Sequence, residues 1–176
     1  MNIERIFSER LVLIPLTREV AAAVLNGRKE VLEELGLKVD ESWPDKESLE
    51  TLPKIIKILE SVKEPSGFEA WLVVKRDAMT VIGDAGFKGK PDEKGGIDIG
   101  YSIIAQEQKK GYGFETAKAL ADWAFLQREV RFISASCLLG NKGSARILEK
   151  LGMQETSRDE TMIYWKVSRP VLESQY

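Results

Sequence analysis

The stretch QKKGYGFETA, residues 108–117, places two glycines one residue apart at the point where a helical pattern begins. The first N–H groups of a helix have no acceptor within the helix, and the helix dipole makes that end positive. Because Gly111 and Gly113 carry no Cβ atom, an anion can lie directly against these amides. Lys109 and Lys110 add positive charge beside them. The stretch therefore predicts a phosphate-binding loop, and the alternative is an ordinary glycine-containing loop before a helix.

The glycine spacing does not fit the two commonest nucleotide-binding motifs. A dinucleotide-binding loop requires a third glycine or an alanine at position 116, where this sequence has a threonine. The later stretch GNKGSA, residues 140–145, lacks the Gly-Lys-Ser order of a P-loop. NAD and ATP are therefore poor candidates for the ligand of this loop.

Strand and helix patterns on either side of the loop predict a mixed α/β (α+β) fold. Strands are predicted at residues 10–16, 68–76, 80–89, 97–105 and 130–139, with a final hairpin at 153–157 and 161–168. Helices are predicted at 17–27, 29–36, 46–63, 114–127 and 142–152, with Pro53 starting or kinking the third of them. Because a helix joins the strands at 97–105 and 130–139, these two strands pair in parallel inside an otherwise antiparallel sheet.

The composition is that of an ordinary globular protein, and a single domain is expected over residues 1–176. The net charge is −2 and no basic run stands out, so a nucleic-acid partner is not expected. The N-terminal stretch MNIERIFSERLVLIPL carries charges between its apolar residues, which fits neither a signal peptide nor a membrane span. A single cysteine, Cys137, excludes an internal disulfide and fits a reducing, cytoplasmic compartment.

The sequence contains no histidine, which limits its chemistry more than any other count. A Ser-His-Asp triad, a Cys-His pair and a His-ligated zinc site are excluded, and no metal is expected. Acid–base chemistry must then use carboxylates, hydroxyls, lysines, Cys137 or water. Cys137 itself is expected to be a small buried apolar residue rather than an acyl carrier.

A longer pattern around the glycine loop resembles a known family. Gln108-x-x-Gly111-x-Gly113 matches the Q/R-x-x-G-x-G/A signature of the GNAT N-acetyltransferases. Around it, the stretches IGYSI (99–103), NKGSARILEKLGM (141–153) and SERLVLIPL (8–16) resemble the RimJ/RimL-like branch, so the resemblance covers essentially the whole chain. It implies the GNAT acyl-CoA N-acyltransferase fold, with a mostly antiparallel central sheet, one splayed parallel strand pair and helices on both faces. It also implies transfer of an acetyl group from acetyl-CoA to a primary amine by direct attack in a ternary complex.

The resemblance assigns each part of acetyl-CoA to particular residues. Pantetheine would lie between the splayed strands against the main chain of Ile103 and Ile104, and one of these two N–H groups would be the oxyanion donor. Asn141 would meet pantetheine from the far side, and it can cap the last helix at the same time. Ser144 also stands among the cofactor-binding residues. The residues around the pyrophosphate would be Gln108, Lys109, Lys110, Gly111, Tyr112, Gly113 and Phe114.

Acetyl transfer to an amine requires that the amine be neutral. Asp98 is the predicted base, acting through water, because the family commonly carries Glu at this position and no histidine is available. Alternation along the strand places Asp98 on one face with Gly100 and Ser102. Its alternative is a solvated carboxylate without a catalytic role, and Glu69 on a neighbouring strand is then the next candidate.

The predicted proton donor for the leaving thiolate is Ser144. Many GNAT enzymes place a tyrosine early in the last helix, but this sequence has none between Tyr112 and Tyr164. The RimJ/RimL-like branch has a serine there, in a pattern Asn-x-x-Ser that Asn141 and Ser144 match. A serine hydroxyl can hydrogen-bond the thiolate and pass on a proton from water. The alternative role for Ser144 is helix capping.

The acceptor is left open between a protein N-terminal amine and a small-molecule amine. Its groove is expected from residues 20–65 and the final hairpin, in a monomer or a homodimer that has no membrane partner. The residues considered are Trp43, Trp71, Tyr164 and Trp165, as lining or buried core, and Asp45, Glu47, Asp159 and Glu160, as attraction for a cationic amine or plain solvated charge. The alternative functions are a non-catalytic acyl-CoA-binding or sensing module and a nucleotide-binding regulator.

Overall fold

The computed structural model describes residues 3–171, within which nine strands form one sheet. The strands are β1 Ile6–Phe7, β2 Leu11–Pro15, β3 Lys38–Val39, β4 Ala70–Lys75, β5 Thr80–Phe87, β6 Gly96–Ile103, β7 Phe132–Leu138, β8 Gln154–Arg158 and β9 Met162–Ser168. The helices are α1 Arg18–Leu25, α2 Glu30–Glu34, α3 Lys46–Glu60, α4 Tyr112–Leu126 and α5 Lys142–Lys150, and a 3-10 turn covers Ala105–Glu107.

The sheet is mostly antiparallel, as predicted. Its strand order is β1-β2-β4-β5-β6-β7-β9-β8, and β3 pairs with β5 off this path. The predicted parallel pair is present as β6 and β7. The two-residue strand β3 adds a second, short parallel contact with β5.

β6 and β7 pair over a short distance and then separate. Their register ends at the pair formed by Asp98 and Ser134. Beyond it, β6 follows β5 as far as Ile103, while β7 follows β9 as far as Leu138. The separation opens a wedge between the two strands, which we call the β6–β7 gap. The splayed pair predicted from the sequence is therefore confirmed.

Helices α3 and α4 cover opposite faces of the sheet. The ring centroid of Trp71 in β4 lies 5.7 Å from that of Trp123 in α4. Asp84 in β5 accepts a hydrogen bond from Ser48 in α3 at 2.6 Å. Trp71 pairs with Ala85 and shares its face, and successive strand residues point to opposite faces, so Asp84 faces the other way. We call the two sides the α4 face and the α3 face.

Three local features differ from the sequence-based prediction. α4 begins at Tyr112, two residues before the predicted start, so Gly113 lies in its first turn. α3 runs through Pro53, which therefore does not start the helix. Asp45 caps α3 instead, accepting the N–H of Ser48 at 2.9 Å. The strands β1 and β3 are not predicted from the sequence, because two residues are too few to show an alternating pattern.

α4 buries a stripe of mostly small side chains, Thr116, Ala117, Leu120, Ala121 and Ala124. Small side chains let the helix axis approach the sheet closely, which fixes the start of α4 beside the β6–β7 gap. None of the helices within residues 3–171 has the length and apolar character needed to cross a membrane.

Candidate active site

The glycine loop presents an unbroken row of main-chain N–H groups. The N–H of Gln108 donates to Ala105 O at 3.2 Å, and the N–H of Glu115 donates to Gly111 O at 3.1 Å. Between them, the N–H groups of residues 109–114 donate to no acceptor within residues 3–171. The N-cap Gly111 supplies no side-chain cap. The start of α4 therefore offers six donors together with the positive end of the helix dipole.

The loop backbone is bent in the way that anion-binding loops are. Lys109 and Gly111 have φ angles of 61° and 87°, both in the left-handed region. Left-handed residues within a turn direct successive N–H groups into one concavity, which suits an anion. A left-handed lysine costs on the order of 1 kcal/mol, and such strain clusters at ligand sites. The loop has the donors and the shape to hold a diphosphate.

Each glycine of the loop has its own structural reason. A Cβ atom on Gly111 would lie 3.1 Å from Arg10 Nη2. A residue other than glycine at this position would also have to adopt a left-handed backbone conformation. A Cβ atom on Gly113 would lie 2.9 Å from Ile147 Cδ1 in α5. Gly113 therefore lets α4 and α5 approach each other, rather than only clearing space over the amides.

The turn between β1 and β2 braces the loop through Ser8 and Arg10, which sequence reasoning did not single out. Glu115 Oε1 accepts the Ser8 hydroxyl and the Arg10 N–H, each at 2.7 Å, and Oε2 accepts Arg10 Nε at 2.8 Å. Arg10 Nη1 donates to Lys110 O at 2.9 Å. The Arg10 guanidinium also lies 4.3 Å from the ring centroid of Tyr112. One arginine thus joins the turn before β2, the loop and α4.

We expect Glu115→Gln to weaken the binding of acetyl-CoA, the cofactor that the sequence resemblance implies, about fivefold. The substitution loosens Arg10 and therefore the loop, and a fivefold change corresponds to about 1 kcal/mol. Burial raises the pKa of Glu115, but hydrogen bonds from Arg10 and Ser8 outweigh it and lower the pKa overall. The stabilisation is then present at neutral pH and lost as the pH falls through the lowered pKa, so the stabilities of variant and wild type should converge in acid. Calorimetric titration and unfolding at several pH values measure both effects.

The matched control is Asp122→Asn, which breaks an exposed ion pair with Lys118 on the same helix. It should leave acetyl-CoA affinity unchanged, because exposed pairs contribute little. An equal loss of affinity in both variants would show that the bracing by Arg10 has no special role.

At the end of β6, the N–H groups of Ile103 and Ile104, the two residues predicted to contact pantetheine, point in opposite directions. The N–H of Ile104 donates to Ile82 O at 3.0 Å and is therefore used within the sheet. Neighbouring residues direct their N–H groups to opposite sides of a strand, so the N–H of Ile103 points away from β5 toward the β6–β7 gap. Ile103 is then the better placed of the two predicted oxyanion donors. Gln108 Nε2 donates to Ile103 O at 2.8 Å. This hydrogen bond links Gln108, which is expected to lie near the pyrophosphate, to the end of β6.

Tyr101, which the sequence analysis did not select, meets Ser144 across the β6–β7 gap. The two hydroxyl oxygens lie 3.1 Å apart, with Tyr101 on β6 and Ser144 in the first turn of α5. Asn141 caps α5, as expected, by accepting the N–H of Ser144 at 3.0 Å, so the Ser144 hydroxyl is not needed for the cap. Tyr101 could have been found from its strand position, because alternation places it on the same face as Ile103.

The environment keeps the Tyr101 phenol protonated. Burial raises its pKa, the hydrogen bond with Ser144 opposes this rise, and the nearby Cys137 thiol adds to it. Cys137 is buried, as predicted. A neutral phenol beside a second hydroxyl can donate a hydrogen bond to a negative charge that develops in the gap.

Asp98 lies at the closed end of the gap and already has two partners. Lys88 Nζ is 2.7 Å from Oδ1, and the Ser134 hydroxyl donates to Oδ2 at 2.9 Å. Five residues separate Asp98 from Ile103, about 17 Å along an extended strand. A base role for Asp98 stays a prediction, and at this distance it would require a chain of waters.

Glu69, the second predicted base, serves the turn before β4. It is 2% exposed, and its carboxylate accepts hydrogen bonds from the N–H and hydroxyl of Ser66, both at 2.7 Å. The N–H of Gly67 also donates to it, at 3.2 Å. Both oxygens therefore accept hydrogen bonds within this turn, and a base role for Glu69 stays a prediction.

Most of the aromatic residues considered for the acceptor groove belong to the core. Trp43, Trp71 and Trp165 are buried. Tyr164 is exposed and donates to Asp159 Oδ2 at 2.8 Å. The N–H groups of the β8–β9 turn and this phenol lower the pKa of Asp159 to about 2. Asp159 therefore stabilises a turn.

Comparison with known proteins agrees with this geometry. Residues 10–154 match the Acetyltransferase (GNAT) domain family. YjdG, an uncharacterized N-acetyltransferase of Bacillus subtilis (strain 168), is 35% identical over 136 residues, which are 77% of this chain and 81% of YjdG.

Two solved structures share the fold at low identity. The ribosomal-protein-S5-alanine acetyltransferase from Vibrio fischeri superposes with a TM-score of 0.67 at 16% identity, covering 95% of this chain and 97% of that chain. RimL, a ribosomal L7/L12 alpha-N-protein acetyltransferase in complex with coenzyme A, gives a TM-score of 0.66 at 15% identity, covering 94% and 98%. The family match over most of the sequence and the 35% identity with YjdG show that the chain belongs to the GNAT acetyltransferase family.

Proposed function

We propose that the protein is an N-acetyltransferase that transfers the acetyl group of acetyl-CoA to a primary amine within a ternary complex. The observation that carries this proposal is the row of six N–H groups at residues 109–114, which lies beside an open gap between two parallel strands. Acetyl-CoA supplies an activated acetyl thioester on a long arm that begins at a pyrophosphate. A concave anion site next to an extended slot suits that combination.

The loop and the gap would hold the two ends of the cofactor. The N–H groups of residues 109–114 would donate to the pyrophosphate, with charge from Lys109 and Lys110. Lys110 Nζ lies 3.0 Å from Glu107 Oε2, and about half of the Lys110 side chain is exposed, so this side chain can turn toward a phosphate. Pantetheine would lie along the main chain of Ile103 on one side of the gap, and the side-chain amide of Asn141 on the other side would bond to it.

Two sets of groups would lower the barrier. The N–H of Ile103 would stabilise negative charge on the thioester oxygen. The Tyr101 hydroxyl would donate to the departing sulfur, and the Ser144 hydroxyl would replace the proton from water. Proton donation of this kind contributes roughly 10²–10⁴-fold to a rate.

The acceptor would approach from the α3 face, because the loop and Tyr101 occupy the other side. Gly100 of β6 is exposed, and a Cβ atom built there would have nothing within 4 Å. The surface of β6 is therefore open on the side away from α4. An α-amine, with a pKa of about 8, is partly neutral at physiological pH, which favours a protein N-terminus over a lysine side chain.

We expect Gly100→Leu to raise the acceptor KM about tenfold while leaving acetyl-CoA affinity and the melting temperature unchanged, because the new side chain fills only open space. Steady-state kinetics and calorimetry measure the two effects. The control is Gln154→Leu, which adds the same side chain on the exposed strand β8. An unchanged KM in Gly100→Leu would place the acceptor on another surface.

The experiment that tests the function combines binding with turnover. Calorimetric titration should show acetyl-CoA bound far more tightly than ATP or NAD. Thiol release from acetyl-CoA should then be followed with peptides that begin with alanine or serine, a peptide with a single lysine, and a small polyamine. Tight binding without thiol release by any acceptor would favour the alternative of an acyl-CoA-binding module. Preferential binding of ATP or NAD would favour a nucleotide-binding regulator.

A further inference from the structure

Asp84 is a buried carboxylate on β5 that has no part in the site described so far. It is 7% exposed, and its Oδ2 accepts hydrogen bonds from Trp43 Nε1 at 3.0 Å and from the Ser48 hydroxyl at 2.6 Å. Oδ1 accepts no hydrogen bond from the described residues. Oδ1 is also not fully enclosed by the described residues and keeps some contact with solvent. One oxygen is thus fixed, and the other is available to a ligand.

The register of the sheet brings Asp84 close to the open end of the β6–β7 gap. Asp84 pairs with Ser102, and the adjacent Gly83 pairs with Ile103. Neighbouring strands lie about 4.8 Å apart, so Asp84 is one strand spacing from the segment that carries the proposed oxyanion donor. Asp98, in contrast, is five residues further back on β6.

An open patch lies beside Asp84 on the α3 face. Ser102 and Gly100 alternate along β6 on this face, and the surface above Gly100 is open. At the start of α3, Glu47 Oε2 lies 3.4 Å from the Ser102 hydroxyl. Two carboxylates and one hydroxyl therefore border a patch on the side opposite to the cofactor loop.

Charged groups on the elements packed against Asp84 include Asp45 at the N-cap of α3, Glu47 in the first turn of α3, and Lys29, which donates to Trp43 O at 2.8 Å. Further back on β6, Asp98 is paired with Lys88. Burial raises the pKa of Asp84, the bonds from Ser48 and Trp43 oppose this rise, and the two α3 carboxylates add to it. The patch therefore carries excess negative charge next to a carboxylate that is costly to ionise. A bound cation would relieve both effects.

We propose that Asp84 Oδ1 holds the ammonium group of the acceptor amine and accepts one of its protons, an assignment that rests on the proposed function. The N–H bond breaks and its electron pair stays on nitrogen, which then forms a bond to the acetyl carbon. The C–S bond breaks with its electron pair on sulfur, and sulfur takes a proton from the Tyr101–Ser144 pair, which is restored from water. The nitrogen loses its second proton to water as the amide forms, and Asp84 releases its own proton to water.

Asp84→Asn distinguishes this role from a structural one. The amide keeps an oxygen for Trp43 and Ser48 but removes the buried charge. Because the pKa of Asp84 is raised, ionising it costs the native state stability as the pH rises through the folded-state value. The variant should therefore melt above the wild type at about pH 7.5, and this gain should vanish below about pH 4. A lower melting temperature in Asp84→Asn at neutral pH would mark Asp84 as a tether for α3 and contradict the proposal.

A binding measurement tests the site without any transfer reaction. n-Propylamine hydrochloride at about 100 mM, against an equal concentration of NaCl, should raise the wild-type melting temperature by about 2–4 °C. The shift should disappear in Asp84→Asn. It should persist in Glu50→Gln, which removes an exposed charge that pairs with Lys46 on the same helix. No shift in the wild type, or an equal shift in Asp84→Asn, overturns the proposal.

A kinetic measurement tests the proton transfer. With an acceptor found by thiol release, Asp84→Asn should lower kcat/KM for the amine about 30-fold near pH 7 and less near pH 9, where an α-amine is largely neutral. The acetyl-CoA dissociation constant should not change. If Asp98→Asn shows this pH-dependent loss and Asp84→Asn does not, the base is Asp98 and the inference fails. A wild type that acetylates no amine but binds propylamine through Asp84 counts against the proposed function alone.

Discussion

A Tyr101→Phe variant is expected to bind acetyl-CoA as tightly as the wild type and to turn over about 100-fold more slowly, at the lower end of what a general acid contributes. The ring remains and keeps its packing, while the hydroxyl that lies 3.1 Å from Ser144 Oγ is lost. Because burial raises the pKa of Tyr101, the wild-type phenol stays protonated through neutral and mildly alkaline pH. The deficit should therefore be constant from about pH 7 to pH 9. Thiol-release kinetics and calorimetric titration measure the two quantities.

Ser144→Ala should slow turnover less, by about tenfold, because the phenol can still donate directly to sulfur. The double variant should be no slower than Tyr101→Phe alone, since two groups that act as a unit do not add. Tyr164→Phe is the control, because it removes an exposed phenol that donates to Asp159, away from the gap. Full turnover in Tyr101→Phe would assign the proton donor to another group, and a loss of stability alone would make the pair structural.

The second large effect is expected for Gly111→Ala, which should weaken acetyl-CoA binding about 30-fold. Gly111 has a φ of 87°, and an alanine there costs roughly 1–2 kcal/mol. The loop can relieve this strain only by moving, which would disperse the N–H groups of residues 109–114. A cost of about 2 kcal/mol in forming the site corresponds to the expected change in affinity. Calorimetric titration with acetyl-CoA measures it.

Gly36→Ala is the matched control for backbone strain. Gly36 follows α2 with a φ of 77°, and a Cβ atom there would meet nothing within 4 Å. Both variants should lose similar stability, but only Gly111→Ala should lose affinity. Equal affinities in the two variants would remove the loop from the cofactor site.

The parts of the site that the sequence predicted are those that depend on local order. The strand, loop and helix at residues 97–127 can be predicted because three local patterns follow one another directly. These are the alternation of apolar residues in a strand, the two glycines of the loop, and the helical spacing of apolar residues. The cap by Asn141 was predicted for the same reason, since donor and acceptor are three residues apart. Local patterns of this kind report backbone geometry without any knowledge of the fold.

The parts that were missed depend on contacts between distant segments. Tyr101 and Ser144 are 43 residues apart and meet only because β7 carries α5 back across the gap. In the sequence, Asp84 is a single polar residue within a strand. Its hydrogen bond from Ser48 of α3, 36 residues earlier, is visible only in the folded structure. Arg10 and Glu115 are 105 residues apart. The partners of Glu69 are local, but they are hidden as well, because a strand pattern does not reveal hydrogen bonds from the side chain and amides of the preceding turn.

The β6–β7 gap has a consequence beyond catalysis, because it places an unpaired strand edge inside the sheet. Past Ser134, the gap-facing edge of β7 has no described strand partner, and Ala135, Ser136, Cys137 and Leu138 include neither a charge nor a proline. Those are the devices that usually keep an edge from pairing with another chain. An occupant of the gap would cover this edge. If acetyl-CoA is that occupant, as proposed, its binding would also protect this edge from pairing with another chain.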